Sequence, residues 1–155
     1  RRGLADHGLS LPETLIARGA LNRSAGEAAT ARLLDLPEPP SAIVFALDRA
    51  ALGAYRPAAE RGLHVGRDLA VIAYDGDPEG AYAEPPLATW SVDWGKAGAR
   101  LADMLIRRVR GEPISELRAT MPATFLDRGS ASVAPNADPA QSGADAKPIQ
   151  PGGNE

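Results

Sequence analysis

Residues 42–74 read AIVFALDRAALGAYRPAAERGLHVGRDLAVIAY. An uninterrupted apolar run stands at each end of this stretch, at residues 42–45 (AIVF) and 69–74 (LAVIAY). Between the runs lies an amphipathic helix pattern whose apolar stripe falls on Leu52, Tyr55 and Ala59. Strands that read as continuous apolar runs have no face toward water, so they belong to a parallel sheet that helices cover on both faces. The stretch therefore predicts an α/β fold with a parallel sheet.

The helix pattern inside this stretch has a defined start and end. Asp48 stands at its beginning, where an aspartate side chain can accept a backbone N–H as an N-cap, and Gly62 ends it. Pro57 lies in its middle, where a proline ring removes a hydrogen bond of the helix, so we expect a bend near Gly53.

The strand-then-helix order also occurs upstream. Residues 4–8 are typical of the last turn of a helix that a glycine ends, and residues 14–17 (TLIA) form an apolar run of strand length. Ser24 can cap the next helix, which Pro37 ends. We therefore expect a strand at residues 14–17 followed by a helix.

Downstream of the third strand, the pattern becomes less regular. Residues 75–86 are rich in turn formers, and residues 87–92 predict a further extended segment. A long amphipathic helix follows at residues 94–110. Residues 118–126 (RATMPATFL) predict a last strand, and Pro122 places that strand at an edge or a crossover of the sheet.

Composition narrows the class of protein. The 155 residues allow one domain, and 44% hydrophobic with 24% charged residues is close to the globular average. The chain has no cysteine, which excludes disulfides and thiolate chemistry and is typical of the cytoplasm. A net charge of -3 gives no basic surface for nucleic acid, and no apolar run approaches the roughly 20 residues that span a bilayer.

The two ends of the sequence differ from its centre. Arg1 is not a methionine, and the residues after it read like a helix already in progress, so we expect the sequence to begin inside a longer protein. Residues 130–155 hold only Val133 and Ile149 as sizeable aliphatic residues, too few to offset the entropy of ordering the chain. We expect this C-terminal segment to be a disordered tail.

Four sequence blocks, in order, resemble the signatures of the LacI/GalR-type family of transcriptional regulators. The blocks are AIVFALDRAALGA (42–54), RGLHVGRDLAVIAYD (61–75), PPLATW (85–90) and FLDRGS (125–130). A weaker similarity covers LNRSAGEAATARLL at residues 21–34. The resemblance therefore extends over nearly the whole chain except its tail.

The resemblance implies a type I periplasmic-binding-protein-like fold with two Rossmann-like lobes, of which this sequence holds a part. Residues 1–129 would form the partial effector-binding domain, with residues 1–92 mainly in the C-terminal lobe. Residues 93–111 would be a helix of the N-terminal lobe, and residues 118–127 a strand that returns between lobes. Without the rest of its lobe, that helix should expose the apolar residues Trp94, Leu101, Met104 and Leu105.

The function implied by the resemblance is binding rather than catalysis. Regulators of this family bind a small-molecule effector, carbohydrate-like in most members, and act as cytoplasmic homodimers. They contact operator DNA only through an N-terminal helix-turn-helix, which lies outside this sequence. The resemblance implies no cofactor, no metal and no membrane. The alternative is a periplasmic substrate-binding protein of an ABC transporter, which shares the core fold; an upstream helix-turn-helix or a secretion leader would separate the two.

Two residues are the strongest candidates for effector contact. Asp75 directly follows a strand, and ligands of open parallel sheets bind beyond the carboxyl ends of the strands. Its carboxylate could accept hydrogen bonds from sugar hydroxyls. Alternatively, Asp75 could be an aspartate that begins the turn at residues 75–78 and contacts no ligand. Trp94 begins the long helix, where the family often places an aromatic ring against the effector, although packing in the core is an equal alternative.

Three further positions match effector contacts of the family but carry aliphatic residues. Leu47 stands where an asparagine is typical, Val92 where a polar residue is common, and Leu21 where many members have an aromatic ring. The effector could be less polar than a simple sugar, the sensing role could be lost, or the alignment could be shifted by one residue.

No catalytic or metal-binding set stands out. His7 and His64 are isolated and predicted to lie on the surface, and there is no GxSxG or dinucleotide motif. An α/β enzyme therefore has no motif in its support.

Overall fold

A four-stranded sheet forms the centre of the fold in the computed structural model, which describes residues 2–132. Its strands are β1 (Ala42–Val44), β2 (Ala70–Asp75), β3 (Ala88–Ser91) and β4 (Thr124–Leu126), in that spatial order. β1 and β3 both run parallel to β2, whereas β4 is antiparallel to β3 at the edge of the sheet. The predicted α/β class and the edge position of the last strand are confirmed.

Within residues 2–132, five α-helices and three short 3₁₀ segments accompany the sheet. The α-helices are α1 (Arg2–Ala5), α2 (Arg23–Leu34), α3 (Asp48–Ala51), α4 (Tyr55–Glu60) and α5 (Trp94–Val109). The 3₁₀ segments are Glu13–Leu15, Pro78–Tyr82 and Ile114–Glu116. None of the helices within residues 2–132 has both the length and the apolar character that a membrane crossing needs.

The hydrophobic core lies on one face of the sheet. Ile43 of β1 and its register partner Val71 of β2 are buried there beneath α2, α3 and α4. The opposite face carries Val44, Tyr74 and Trp90, all of which are exposed. The sheet is therefore covered on one face only by residues 2–132, where the apolar strands predict cover on both.

The helix predicted from Asp48 to Gly62 is divided in two. Residues 52–54 interrupt it between α3 and α4, so the predicted bend near Gly53 is confirmed. Pro57 is the third residue of α4, a position in the first turn whose N–H has no partner within a helix. The interruption also shifts the apolar stripe of the predicted helix. Ala59, which the pattern places in that stripe, is exposed, and Ala58 is buried instead.

α2 packs closely against the turn at α3. A Cβ at Gly26 would lie 2.0 Å from the carbonyl oxygen of Ala50, so only glycine allows this approach. The cap of α2 differs from the prediction: the side chain of Asn22, and not that of Ser24, accepts the N–H of Ala25 at 2.9 Å. Asn22 is better placed because it directly precedes the first helical residue.

The strand predicted at residues 14–17 is wrong. Glu13–Leu15 form a 3₁₀ turn, and Ile16 is extended with φ -108° and ψ 118°. A strand needs a neighbour to pair its backbone groups, and no strand within residues 2–132 lies beside this segment.

Ser130 belongs to the folded part, although the predicted tail begins at this residue. Its side chain is fully buried, its hydroxyl donates to the carbonyl of Val71 at 2.6 Å, and it accepts the N–H of Ala88 at 2.7 Å. The tail prediction for residues 133–155 falls outside the described part of the chain.

Candidate functional site

The candidate site lies at the sheet edge where β1, β2 and β3 end. These strands are parallel, so the loops that follow them meet at one edge, which is the usual ligand position in open α/β sheets. Leu47 follows β1, Asp75 ends β2, and Val92 and Trp94 follow β3. The topology therefore gathers four of the five predicted contact residues at this edge.

Asp75 occupies a strained backbone position. Its φ of 142° is in the region that favours glycine, and it is the only residue other than glycine with a positive φ within residues 2–132. Burial raises the pKa of its half-buried carboxyl, and the neighbouring charges of Asp48 and Asp77 raise the pKa further. Strain of this kind is typical of ligand-binding and catalytic sites, where surrounding contacts hold a side chain in place.

Trp94 and Asp75 are in direct contact. The indole Nε1 of Trp94 donates a hydrogen bond to the backbone carbonyl of Asp75 at 2.8 Å. The ring itself is 57% exposed among residues 2–132. An exposed indole that is hydrogen-bonded to the backbone of a residue with a carboxylate can bind a ligand that is polar on one side and apolar on the other.

Asp48 joins three elements behind the site. Its side chain is fully buried; Oδ1 accepts the hydroxyl of Thr89 at 2.6 Å, and Oδ2 accepts the backbone N–H of Asp77 at 2.7 Å. The predicted N-cap role is wrong, because Leu47 occupies the cap position and α3 has no side-chain cap. Asp48 lies inside the first turn, and its carboxylate is directed into the sheet instead.

A network of ion pairs surrounds the turn after β2. Arg49 Nε lies 3.1 Å from Asp77 Oδ2, and Arg23 lies 3.3 Å from Glu79. The backbone N–H of Glu79 and the Arg49 guanidinium lower the pKa of Asp77. Asp77 is therefore held as a structural carboxylate, while Asp75 makes no side-chain ion pair that the structure shows.

The three aliphatic candidates have different surroundings. Leu47 is half-buried and packs against the core, and Val92 is half-buried at the end of β3. Leu21 is exposed and lines an apolar groove beside β1. Their contact with an effector remains a prediction.

Sequence reasoning missed the residues that hold the site together. Thr89 lies in the block PPLATW and Arg49 in the block AIVFALDRAALGA, but neither was singled out. The available signal was position: Arg49 follows the carboxyl end of β1, and Thr89 is a polar residue within an apolar strand. His7 and His64 are exposed as predicted, and no group of potential metal ligands occurs within residues 2–132.

Comparison with known proteins agrees with this fold. The family model for a periplasmic binding protein-like domain matches residues 1–131. The chain belongs to this family. The HTH-type transcriptional repressor CytR of Escherichia coli (strain K12) is 32% identical to it over 128 residues, which are 83% of this chain and 38% of the repressor.

Solved structures place the chain among LacI-type members of the periplasmic binding protein-like family. A regulatory protein of the LacI family from Chloroflexus aggregans matches with a TM-score of 0.75 and 32% identity, covering 85% of this chain and 48% of that one. The transcriptional regulator CelR in its cellobiose complex matches with a TM-score of 0.72 and 30% identity, covering 84% and 40%. The chain thus spans less than half the length of each of these proteins, and the predicted family is confirmed.

Two of the family blocks are joined to others by buried polar side chains. Asp48 of the first block binds Thr89 of the third, and Ser130 of the fourth binds Val71 of the second. These hydrogen bonds give Asp48 and Ser130 a structural role in joining the blocks.

Proposed function

We propose that this chain is part of the effector-sensing domain of a DNA-binding transcriptional regulator, with Asp75 as its main polar contact to a carbohydrate-like small molecule. One observation carries the proposal. A carboxylate on strained backbone lies at the carboxyl edge of a parallel sheet, and an exposed indole is fixed beside it. The relatives are named as transcriptional regulators, and CelR is described in complex with cellobiose.

The proposed chemistry is reversible binding. Asp75 would accept hydroxyl hydrogen bonds, which are stronger to a carboxylate than to a neutral group. The free face of Trp94 would cover the apolar side of a sugar ring. Operator DNA would be bound by a helix-turn-helix elsewhere in the protein, in a homodimer in the cytoplasm. The relatives' names do not favour the alternative of a transporter's periplasmic binding protein.

The test uses the intact regulator and the fluorescence of Trp94. The chain has two tryptophans, so Trp90→Phe leaves Trp94 as the only one within it. We expect cellobiose or another member of a mono- and disaccharide panel to change the Trp94 emission, and Asp75→Ala to abolish that response in fluorescence and calorimetry. Operator binding without effector should be unchanged.

The control replaces an aspartate of the same chain that is distant from the site. Asp35 forms an exposed ion pair with Arg61 at 2.7 Å, so Asp35→Ala should leave effector affinity unchanged. Equal effector affinity of the Asp75→Ala variant and the parent would remove Asp75 from the binding site.

Leu47 offers a second test of ligand polarity. Asparagine at this position would provide a donor and an acceptor, so Leu47→Asn should shift preference toward polyhydroxylated ligands by about 1 to 3 kcal/mol, the cost of an unpaired buried polar group. A sugar panel that binds parent and variant equally would show that Leu47 does not contact the effector.

A further inference from the structure

Asp75 and Gly76 form the only Asp-Gly dipeptide of the sequence. In such a pair the backbone nitrogen of the glycine can attack the side-chain carboxyl carbon of the aspartate, because glycine has no side chain that obstructs ring closure. The structure requires glycine at residue 76, since its φ is 78° and a Cβ there would lie 2.2 Å from Ser91 Oγ. The fold therefore keeps a chemically reactive dipeptide at the end of β2.

The backbone nitrogen of Gly76 is available for this reaction. β2 ends at Asp75, and no hydrogen bond among residues 2–132 includes the N–H of Gly76. The carbonyl oxygen of the same peptide group, Asp75 O, accepts the indole N–H of Trp94 at 2.8 Å. When the amide nitrogen loses its proton to become the nucleophile, negative charge develops on this oxygen, and the indole is already placed to stabilise it.

The carboxyl of Asp75 is also available. No side-chain hydrogen bond or ion pair from residues 2–132 holds it, and its backbone is strained at a φ of 142°. Burial raises its pKa, as do the charges of Asp48 and Asp77, while the charge of Arg49 acts in the opposite direction. A raised pKa increases the fraction of neutral carboxyl, which is the form that reacts with a nucleophile.

We propose that Asp75–Gly76 is a site of isoaspartate formation, which the indole of Trp94 promotes. Gly76 N forms a bond to Asp75 Cγ, and the amide proton leaves with the carboxyl hydroxyl as water, which gives a cyclic succinimide. Water then adds to one of the two ring carbonyl carbons, and the bond from that carbon to the nitrogen breaks. Cleavage at the main-chain carbonyl carbon leaves isoaspartate, whereas cleavage at Cγ restores aspartate. The reaction needs no oxidant or reductant.

Isoaspartate would change the candidate site. The main chain then runs through Cβ and Cγ of residue 75, so it is longer by one carbon atom, and the free carboxylate is attached directly to Cα. The carboxylate that we propose as the effector contact is displaced by this change. Its consequence for effector binding rests on the proposed function, but the reaction itself does not.

The experiment is to age the folded protein at neutral pH and then locate isoaspartate in its peptides. The protease Asp-N cleaves before aspartate but not before isoaspartate, and mass spectrometry identifies the uncut bond. Asp77 is an internal control, because it precedes Pro78, whose nitrogen has no proton to lose. We expect isoaspartate at residue 75 and none at residue 77, with circular dichroism showing that the protein stays folded.

The urea-unfolded chain sets the period of ageing. Isoaspartate at residue 75 of the folded protein, within the time in which the unfolded chain forms it, supports the proposal. Absence of isoaspartate from the folded protein over that time would show that the fold protects the dipeptide, and would overturn the proposal.

Two tryptophan variants test the role of the indole. Trp94→Phe removes the donor to Asp75 O and keeps an aromatic ring, whereas Trp90→Phe removes another exposed indole that does not bind Asp75. Loss of one hydrogen bond should slow isoaspartate formation about 3- to 10-fold in Trp94→Phe. Trp90→Phe should react at the rate of the parent. Equal rates in the two variants would refute the part of the proposal that concerns Trp94.

Asp75→Asn tests the geometry of ring closure separately from the charge of the carboxyl. The asparagine side chain is neutral at every pH and releases ammonia instead of water, so this variant should form the succinimide faster than the parent. A folded Asp75→Asn variant that reacts no faster than the parent would show that the backbone at residues 75 and 76 prevents ring closure, which contradicts the proposal.

Discussion

Replacing Asp48 by alanine tests how the candidate site is held in place. The carboxylate is fully buried and accepts two hydrogen bonds, from the Thr89 hydroxyl at 2.6 Å and from the Asp77 amide at 2.7 Å. Each hydrogen bond to a charged group contributes about 1.5 to 3 kcal/mol. Because the variant also removes the desolvation cost of the carboxylate, we expect a net loss of about 2 to 4 kcal/mol in the free energy of unfolding.

A double-mutant cycle assigns part of this loss to one contact. Thr89→Val keeps the shape of the side chain and removes its hydroxyl, which should cost about 1 to 3 kcal/mol. Once Asp48 is alanine, the hydroxyl keeps only a long contact of 3.5 Å to the carbonyl of Trp90, so its removal costs little. The double variant should therefore be more stable than the sum of the single losses predicts, by about 1 to 2 kcal/mol.

The measurement is urea unfolding of the protein, followed by tryptophan fluorescence and circular dichroism. Asp35→Ala is the matched control, because Asp35 pairs with Arg61 on the surface and such pairs contribute about 0 to 1 kcal/mol. A loss for Asp48→Ala no larger than that of the control would refute the bridging role. Additive losses for Asp48→Ala and Thr89→Val would refute the contact between these two side chains.

Four other predictions follow from the described contacts. Asp75→Gly should stabilise the protein by about 1 kcal/mol, because glycine accepts the φ of 142° without strain; thermal unfolding checks this. Since the pKa of Asp75 is raised in the folded state, its ionisation opposes folding as pH rises above about 4, so Asp75→Asn should gain stability over the parent in that direction. Ser130→Ala should cost about 2 kcal/mol, because the Ala88 amide loses its buried acceptor, and unchanged stability would argue against this bridge. Gly26→Ala should cost about 1 to 3 kcal/mol through its clash with the Ala50 carbonyl, whereas Gly98→Ala, with open space around it, should gain about 0.5 to 1 kcal/mol.

Local patterns predicted the strands and the long helix well. The continuous apolar runs gave β1, β2 and β3 within a residue or so, and α5 begins at Trp94 as expected. Local patterns failed where a strand depends on another strand to pair with. Residues 14–17 have the composition of a strand, but no strand within residues 2–132 lies beside them. Likewise, residues 118–126 give a strand only at Thr124–Leu126, where β3 is available for pairing.

The sequence predicted where the candidate site lies, but not which residues hold it in place. Asp75 was predicted because it directly follows a strand of a parallel sheet, and Trp94 because the family resemblance places an aromatic ring at the start of this helix. The structure joins the two residues by a hydrogen bond. The role of Asp48 could not be predicted from the sequence, because its partners Asp77 and Thr89 lie 29 and 41 residues away along the chain. Capping is a local pattern, whereas a bridge between strands depends on tertiary structure.

The geometry at Asp75 depends on residues that do not face the proposed ligand. β1 and β4 have three residues each, so the sheet ladder leaves backbone groups near the strand ends without partners. Asp48 binds one of these groups, the amide of Asp77, and Ser130 binds another, the amide of Ala88. The turn that carries Asp75 is therefore fixed from behind by Asp48 and from the front by the indole of Trp94. Because strain persists only where several contacts enforce it, loss of either support should let Asp75 relax, and effector affinity should fall even though the carboxylate is still present.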